Sequence, residues 1–259
     1  MRLEMEPVAG SPDQRPVAGK EPRARVSVVI PALNEEDAIG DVVRAVLAEP
    51  VDQVIVVDNG STDKTAERAR SAGALVIAEP RRGYGRACRA GGDAVARDCD
   101  IVAFLDGDGS DCPELLPQLV EPLHAGKQDF VIGSRIRGRR EPGSMNRQQI
   151  VAGRLVGWLL YLLYGVRYTD MGPFRAIRRE ALIQLGMRES TYGWNLEMQM
   201  RASRAGLRIL EIPVDHRLRR GGQSKVSGTA LGTLRAAIRI LLTFTRLAIE
   251  LRKPPADER

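Results

Sequence analysis

Short apolar runs alternate with amphipathic stretches over the first hundred residues after Arg25. The runs "VSVVIP" (26–31), "QVIVVD" (53–58), "ALVIAE" (74–79) and "DIVAFLD" (100–106) are typical of strands. Helical patterns separate them, beginning with "EEDAIGDVVRAVLAE", for which Asn34 is the predicted N-cap. Strands that are apolar throughout and separated by helices predict an α/β fold with a mostly parallel sheet covered by helices on both faces.

The second half continues with fewer strands. "DFVIGSR" (129–135) and "LRILEIPV" (207–214) predict strands, and helices are expected over 148–164 and near 194–205. The segment "TDMGPFRAIRREALIQLG" lies between those helices and is assigned no element.

Three parts of the chain differ in composition. Residues 1–24 are rich in Pro, Gly, Ala and charge and predict a disordered leader, whereas 25–228 forms the domain. Residues 229–259 predict an amphipathic helix and tail with a narrow charged stripe and a broad apolar face. That helix is expected either to dock on its own domain or a second subunit, as in a homodimer, or to make a peripheral membrane contact.

Charge divides the chain unevenly. Residues 1–129 contain 15 Lys and Arg against 23 Asp and Glu, a net −8, whereas 130–259 contain 24 against 10, a net +14. A basic second half favours an anionic partner such as nucleic acid, lipid headgroups or a phosphorylated substrate. Only 4% of the residues are aromatic, and no RNP or helix-turn-helix pattern is present, so nucleic acid is not the expected partner.

The cysteines and the apolar runs indicate the cellular compartment in which the protein is expected. Three cysteines, at least 11 positions apart, fit neither a disulfide framework nor a zinc cluster, and a reducing cytoplasm suits them best. The longest apolar run, "LVGWLLYLLYGV", falls short of the roughly 20 residues of a spanning helix. We expect a cytoplasmic protein, either free or peripheral at the inner face of the membrane.

Polar residues gather where the predicted strands end. Those ends carry "PALNEE", "DNGSTD", "EPRRGYG" and "DGDGSD" in turn. In open sheets of this type, ligands bind beyond the carboxyl ends of the strands. We therefore expect one crevice to hold Asn34, Glu35, Asp58, Asp106 and Asp108, with Asp58 placed to accept hydrogen bonds from a base or a ribose.

The stretch "FLDGDGSDCPE" is the strongest candidate for chemistry. It is not an EF-hand loop, because counting from Asp106 puts Asp111 and Pro117 where that loop has Gly and Glu. On an extended chain Asp106, Asp108 and Ser110 would face the same way, so that the two carboxylates could share a divalent cation. Asp111, which Pro113 and Glu114 follow, is expected to cap the next helix.

A set of motifs carries a family resemblance. "VSVVIPALNEE", "VIVVDNGSTD", "FLDGDGSDCPE", "VIGSR", "TDMGPFRAIRR" and "RRGGQSKVSG", in this order, resemble family-2 glycosyltransferases of GT-A fold, whose sheet is Rossmann-like. Within that family the chain is most similar to dolichyl- or polyprenyl-phosphate mannose and glucose synthases. The resemblance covers about residues 25–228.

The resemblance implies roles for particular residues. It implies a nucleotide-sugar donor, Mg²⁺ or Mn²⁺ as cofactor, and a lipid phosphate as the acceptor. Asp106 would reach ribose or metal, and Asp108 would hold the metal on the diphosphate. Arg135 would lie near the donor phosphates. The nucleoside would contact Pro31, Asn34, Glu35 and Asp58, and the acceptor phosphate would contact Arg219, Ser224 and Lys225.

The acceptor decides whether a catalytic base is needed. A phosphate monoester is already an anionic nucleophile at neutral pH, because its second pKa is about 6. A hydroxyl on a small molecule or glycan would need a base, for which Asp170 and Glu197 are the candidates. A sugar-nucleotide nucleotidyltransferase is a further alternative, although its Gly-rich loop would follow the first strand, where this chain has "PALNEE".

Overall fold

The structure, a computed structural model, describes residues 23–220 and 241–251. Its strands and helices alternate along most of the chain, as the apolar pattern predicts. The strands are β1 (Val26–Ala32), β2 (Gln53–Asp58), β3 (Leu75–Ala78), β4 (Ile101–Phe104), β5 (Phe130–Ser134), β6 (Arg175–Arg178) and β7 (Ile209–Pro213). The α-helices are α1 (Ile39–Leu47), α2 (Thr65–Ser71), α3 (Tyr84–Asp93), α4 (Leu116–His124), α5 (Arg147–Tyr164), α6 (Arg179–Leu185) and α7 (Trp194–Arg204).

The strands form one sheet of seven in the order β3-β2-β1-β4-β6-β5-β7. All neighbours are parallel except β6, which runs antiparallel to both β4 and β5. Alternate side chains of β1 enter different cores, Val29 on one face of the sheet and Val28 and Ile30 on the other. The prediction of a mostly parallel sheet between two helical layers is confirmed.

Strand β6 was not predicted from the sequence. Its residues "RAIR" read as polar, yet Arg175 is fully buried in the middle of the sheet. Its guanidinium donates to the carbonyl oxygens of Gly172 and Asn195, and it lies 5.8 Å from the centre of the Phe130 ring. These carbonyl contacts compensate for burying the charge, and no local pattern reveals them.

Two predicted caps are wrong. Helix α1 begins at Ile39 after Ala38, without a side-chain cap, and Asn34 instead accepts a hydrogen bond from the Thr62 backbone N–H at 2.8 Å. Asp111 does not cap the turn at Pro113, because its side chain turns back and accepts from the Asp106 N–H at 3.0 Å. The Asn34 side chain thus binds the loop after β2, and the Asp111 side chain binds the chain that precedes it. Neither side chain caps the helix that follows it.

The C-terminal helix is described over 241–250, and the rest of the predicted 229–252 helix lies outside the described residues. Phe244, Leu247 and Leu251 are buried in the main core, so this part docks on its own domain. The exposed Leu241, Leu242 and Ile249 side chains lie elsewhere on its surface. Within the described residues, no helix has both the length and the apolar character to cross a bilayer.

Candidate active site

A cleft of about 330 Å³ opens at the carboxyl ends of β1 and β4. Glu35 from the loop after β1 and Asp106 and Asp108 from the loop after β4 line it, together with Pro31. The start of α5 supplies Asn146 and Gln149, and the segment after β7 supplies His216 and Arg219. Residues far apart in the sequence therefore meet at the edge of the sheet where the polar motifs predicted a crevice.

Asp106 and Asp108 both line the cleft, but not through strand alternation. Strand β4 ends at Phe104, and the chain then turns through Gly109, whose φ is +77°. Asp108 Oδ1 accepts hydrogen bonds from the Ser110 N–H at 2.9 Å and from the Ser110 hydroxyl at 2.6 Å. A turn, rather than an extended strand, brings the carboxylates together, and Gly109 provides the backbone conformation that this turn requires.

Negative charge is concentrated behind this turn. Burial, followed by the charges of Asp108 and Asp111, raises the pKa of Asp106 well above its ordinary value. Burial is also the main reason that the pKa of Asp111 rises to about 7, and the charge of Asp108 adds to it. A cation bound among these carboxylates would relieve their repulsion, so the residues fit a divalent metal.

His216 is a site residue that the sequence did not single out. Its side chain is 5% exposed, and Nδ1 lies 3.8 Å from Asp111 Oδ1, both atoms lacking a hydrogen-bond partner in the described residues. Burial, with help from the Arg135 guanidinium, lowers the pKa of His216 to about 4. The imidazole is therefore neutral at neutral pH, which is the form that binds a metal, and a carboxylate behind it is a common support for such a ligand.

The described residues provide only part of a metal shell. Over 23–220 and 241–251, no three His, Cys, Asp or Glu side chains are arranged to hold one ion. A hard divalent cation takes several oxygen ligands, and Mg²⁺ usually keeps waters or binds substrate phosphates. Asp106 and Asp108 could hold the ion, with His216 in the same cleft wall, while a diphosphate completed its coordination.

Arg135 and Asp170 form a buried pair at one side of the cleft. Arg135 donates from Nε to Asp170 Oδ2 at 2.7 Å and from Nη2 to Oδ1 at 2.9 Å. Burial alone would raise the pKa of Asp170, but the Arg135 guanidinium outweighs it, and the pKa lies below its ordinary value. Arg135 lines the cleft as predicted, whereas Asp170 lies behind it and positions it.

Glu197 is not brought to the cleft. Its carboxylate is fully buried in α7 and accepts from the backbone N–H groups of Arg188 and Glu189 and from Arg201 Nε. All of these partners lie in α7 or in the loop that precedes it. The prediction of Glu197 as a catalytic base is therefore wrong in its geometry, because the side chain faces the protein interior and is already fully engaged.

Asn34 and Asp58 also do not line the cleft. Asp58 accepts from the Ser61 N–H at 3.0 Å, and the Ser61 hydroxyl accepts from the Asn34 N–H at 3.0 Å. Together with the contact of Asn34 to Thr62, these bonds join the loops after β1 and β2. The two residues therefore fix the edge of the cleft beside Glu35.

The segment after β7 lies across the mouth of the cleft. The backbone N–H groups of Arg217 and Arg220 donate to the carbonyl oxygens of Ser110 and Asp108. Arg219 Nη2 then lies 3.0 Å from Glu35 Oε1 and 3.8 Å from Asp108 Oδ2. Arg219 thus joins the cleft, while Ser224 and Lys225, predicted to act with it, lie outside the described residues.

The glycines of "RRGYGRA" serve packing at the start of α3. A Cβ on Gly83 would lie 2.2 Å from the Ser190 carbonyl oxygen, and one on Gly85 would lie 2.2 Å from the Glu189 carbonyl oxygen. This close approach places Tyr84 in the cleft wall, where its ring stacks on Tyr192 with centres 6.3 Å apart.

The chain is similar in sequence to known glycosyltransferases. The sequence model of Glycosyl transferase family 2 matches residues 27–186. An uncharacterized glycosyltransferase of Mycobacterium tuberculosis is 40% identical, over 82% of this chain and 94% of its own. An undecaprenyl-phosphate mannosyltransferase of Micrococcus luteus and a dolichyl-phosphate hexose transferase of Haloferax volcanii are each 34% identical, over 80% of this chain and 90% of theirs.

Solved structures share the fold. Glucosyl-3-phosphoglycerate synthase from Mycobacterium tuberculosis, in complex with Mn²⁺, UDP and phosphoglyceric acid, superposes with a TM-score of 0.68 at 27% identity. The match covers 87% of this chain and 78% of that one. The GT-A architecture predicted from the motifs is confirmed, and the neighbour's contents support a divalent metal and a nucleotide in a cleft of this type.

Proposed function

Because the chain belongs to glycosyl transferase family 2, we propose that it moves a hexose from a UDP- or GDP-sugar to a polyprenyl or dolichyl phosphate, with inversion at the anomeric carbon. Two relatives at 34% identity are named for transfer to such lipid phosphates. Hexosyl transfer itself follows from the family, whereas the donor and acceptor are our proposal.

The observation that carries the choice of acceptor is that the described cleft contains the guanidinium groups of Arg135 and Arg219, whereas neither predicted base is available in it. Asp170 is held by Arg135 with a lowered pKa, and Glu197 lies outside the cleft. His216 has a pKa of about 4 and would be a weak base at neutral pH. An acceptor that is already an anionic nucleophile suits this site better than a hydroxyl.

The donor would lie along the loops after β1 and β4. Pro31 and Glu35 line the cleft on the nucleoside side, with Asn34 and Asp58 holding the neighbouring loop. The diphosphate would lie against Asp106 and Asp108, where a Mg²⁺ or Mn²⁺ ion, when bound, would neutralise the leaving group's charge. Arg135 would add a fixed positive charge near the donor phosphates.

The reaction would then need positioning and charge stabilisation. An oxygen of the acceptor phosphate attacks the anomeric carbon, and the bond from that carbon to the diphosphate oxygen breaks. Arg219 would hold the acceptor phosphate, with Ser224 and Lys225 beside it as the sequence predicts. Preorganised charges of this kind commonly supply the largest share of catalysis in such transfers.

A product-partition assay tests the proposal. The purified protein is incubated with labelled UDP- and GDP-sugars, polyprenyl phosphate and Mn²⁺, and the label is measured in the organic and aqueous phases. We expect glycolipid in the organic phase and release of nucleoside diphosphate. Arg219→Gln should raise KM for the lipid phosphate, whereas Arg220→Gln, at an exposed pair with Asp41, should not.

A second acceptor class is favoured by the solved neighbour. Glucosyl-3-phosphoglycerate synthase is named for a small phosphorylated product. An exclusively water-soluble product in the assay would replace the lipid acceptor with a hydroxyl of a small molecule or glycan. Release of pyrophosphate would instead point to nucleotidyl transfer and contradict both.

A further inference from the structure

Helix α5 has two apolar faces, and only one of them packs against the rest of the domain. On the inner face, Gly157 approaches so closely that a Cβ there would lie 1.9 Å from the Tyr168 carbonyl oxygen, and Val156 and Leu160 enter the core. The opposite face carries Val151, Leu155, Trp158 and Leu162, which fall within about 60° of one another at 100° per residue. We call these four residues the outer face.

The outer face is exposed to an unusual degree. Val151 is 65% exposed, Leu155 52%, Trp158 58% and Leu162 59%. Helix α5 has 18 residues, and from Val151 to Leu162 the stripe extends over about 16 Å of it. A contiguous exposed apolar stripe of this length usually marks a surface that something else covers.

The charged residues of α5 and of the turn after it are all basic. Residues 147–169 contain no Asp or Glu, and Arg154 borders the stripe on the helix. Arg139 and Arg140, in the loop that leads into α5, are exposed, and none of these three arginines forms an ion pair with a carboxylate of the described residues. The same loop has one acidic residue, Glu141, whose carboxylate accepts from the Leu218 backbone N–H at 2.7 Å. Arg167 lies 4.9 Å from the centre of the Tyr161 ring beside the stripe.

We propose that the outer face of α5, with Arg139, Arg140 and Arg154, docks the protein on an anionic lipid bilayer. A helix with Trp and Leu on one face and arginines at its border binds in the headgroup region of such membranes. Asn146 and Gln149, at the start of the same helix, line the cleft. A bilayer along α5 would therefore lie beside the opening of the active site.

A second copy of the chain is the competing occupant, and the charge pattern disfavours it. In a two-fold dimer the same patch meets itself, so Arg154 and the neighbouring arginines of both copies would be brought together. Anionic headgroups would instead neutralise them. The proposed membrane contact lies on α5, rather than on the C-terminal helix that the sequence suggested. Its test needs neither the sugar donor nor the acceptor.

The two tryptophans make the test specific. Trp158 is exposed, whereas Trp194 is 2% exposed in the core, so Trp158 reports on the outer face. The full chain is mixed with phosphatidylcholine vesicles with and without phosphatidylglycerol. We expect sedimentation with the anionic vesicles, a blue shift of tryptophan emission and quenching by brominated lipids. Trp158→Phe should lose the optical signals and keep most of the binding.

Paired substitutions give the control. Leu155→Glu with Leu162→Glu should lower vesicle binding at least tenfold, whereas Leu47→Glu with Ile183→Glu, at exposed positions on α1 and α6, should leave it within about twofold. Each of Arg139→Gln, Arg140→Gln and Arg154→Gln should weaken binding to anionic vesicles about fivefold.

Three results would overturn the proposal. The first is no binding of the wild-type chain to anionic vesicles. The second is binding without quenching of Trp158, which would place the contact elsewhere. The third is a wild-type dimer in lipid-free solution that the Leu155 and Leu162 substitutions dissociate, which would make the outer face a self-association surface. Glycosyl transfer to a lipid in detergent would remain measurable in each case.

Discussion

Two buried acidic centres differ in how their charge is balanced. Glu197, a residue of α7, accepts from two backbone N–H groups and from Arg201 at 2.8 Å. Asp106 in the cleft wall and Asp111 behind it have raised pKa values, because burial and then the charge of Asp108 oppose ionisation. The protein itself neutralises the first centre, whereas in the second, burial and repulsion outweigh the positive charge of Arg135.

This difference separates a structural carboxylate from a functional one. A buried charge with a full set of partners stabilises its surroundings and has no capacity left for a substrate. A group of carboxylates held together against their repulsion costs stability, and a bound cation would recover it. Both Glu197 and Asp108 were predicted from the sequence as catalytic, and their surroundings now assign them opposite roles.

The largest expected effect tests the cleft. Asp108→Asn should reduce the transfer rate about a thousandfold, about 4 kcal/mol of transition-state stabilisation. The free energy of unfolding should change by less than about 1 kcal/mol, because the substitution also removes repulsion. Initial rates and urea denaturation measure the two quantities, with Asp93→Asn on the exposed end of α3 as control. A rate within tenfold of wild type would contradict the assignment.

The converse test is Glu197→Gln. Removing one member of this buried network should cost about 3–4 kcal/mol of unfolding free energy, since Arg201 loses its charged partner. The rate per folded molecule should stay within about threefold of wild type. Glu67→Gln, on the exposed side of α2, is the matched control. A large loss of rate at unchanged stability would return Glu197 to the catalytic candidates.

Ligand-induced stabilisation compares both centres in one experiment. Mn²⁺ with a nucleoside diphosphate at about a hundred times its Kd should stabilise the wild type by about 2.7 kcal/mol. For a chain of this size that corresponds to a rise in Tm of about 5–10 °C, measurable by thermal unfolding. Glu197→Gln should keep this rise, and Asp108→Asn should lose most of it. Equal shifts in both variants would remove the distinction.

The smallest effect concerns Asp129, a partly exposed carboxylate whose charge is balanced by Arg208. Hydrogen bonding from Arg208 is the main cause that lowers the pKa of Asp129 to about 2, below its unfolded value of about 3.9. The stabilisation is therefore present above pH 4 and is lost as the pH falls through 2. Asp129→Asn should cost about 1–2 kcal/mol at pH 7, after allowance for partial exposure. Urea denaturation should find about half of that difference gone at pH 3; a constant difference would contradict the assignment.

The sequence predicted the structure best where a type of residue can serve only one physical purpose. Apolar runs located β1 to β5 and β7 because a buried strand cannot carry many polar side chains. Asp106, Asp108, Arg135 and Arg219 were assigned to one cleft from their motifs, and the structure brings these four side chains to it. Strand β6 was missed because Arg175 gains its partners only from the folded chain.

Apart from β6 and α6, the sequence alone determined the order of strands and helices. It also determined the edge of the sheet where a ligand would bind, and the acidic and basic halves that meet there. These properties follow from periodicity and from the rule that the carboxyl ends of parallel strands share an edge. Only the tertiary structure decided that Glu197 is enclosed, that His216 faces Asp111, and that α5 exposes an apolar stripe. Whether a side chain is satisfied, strained or exposed depends on neighbours distant in sequence, and the pattern of a single segment contains no information about them.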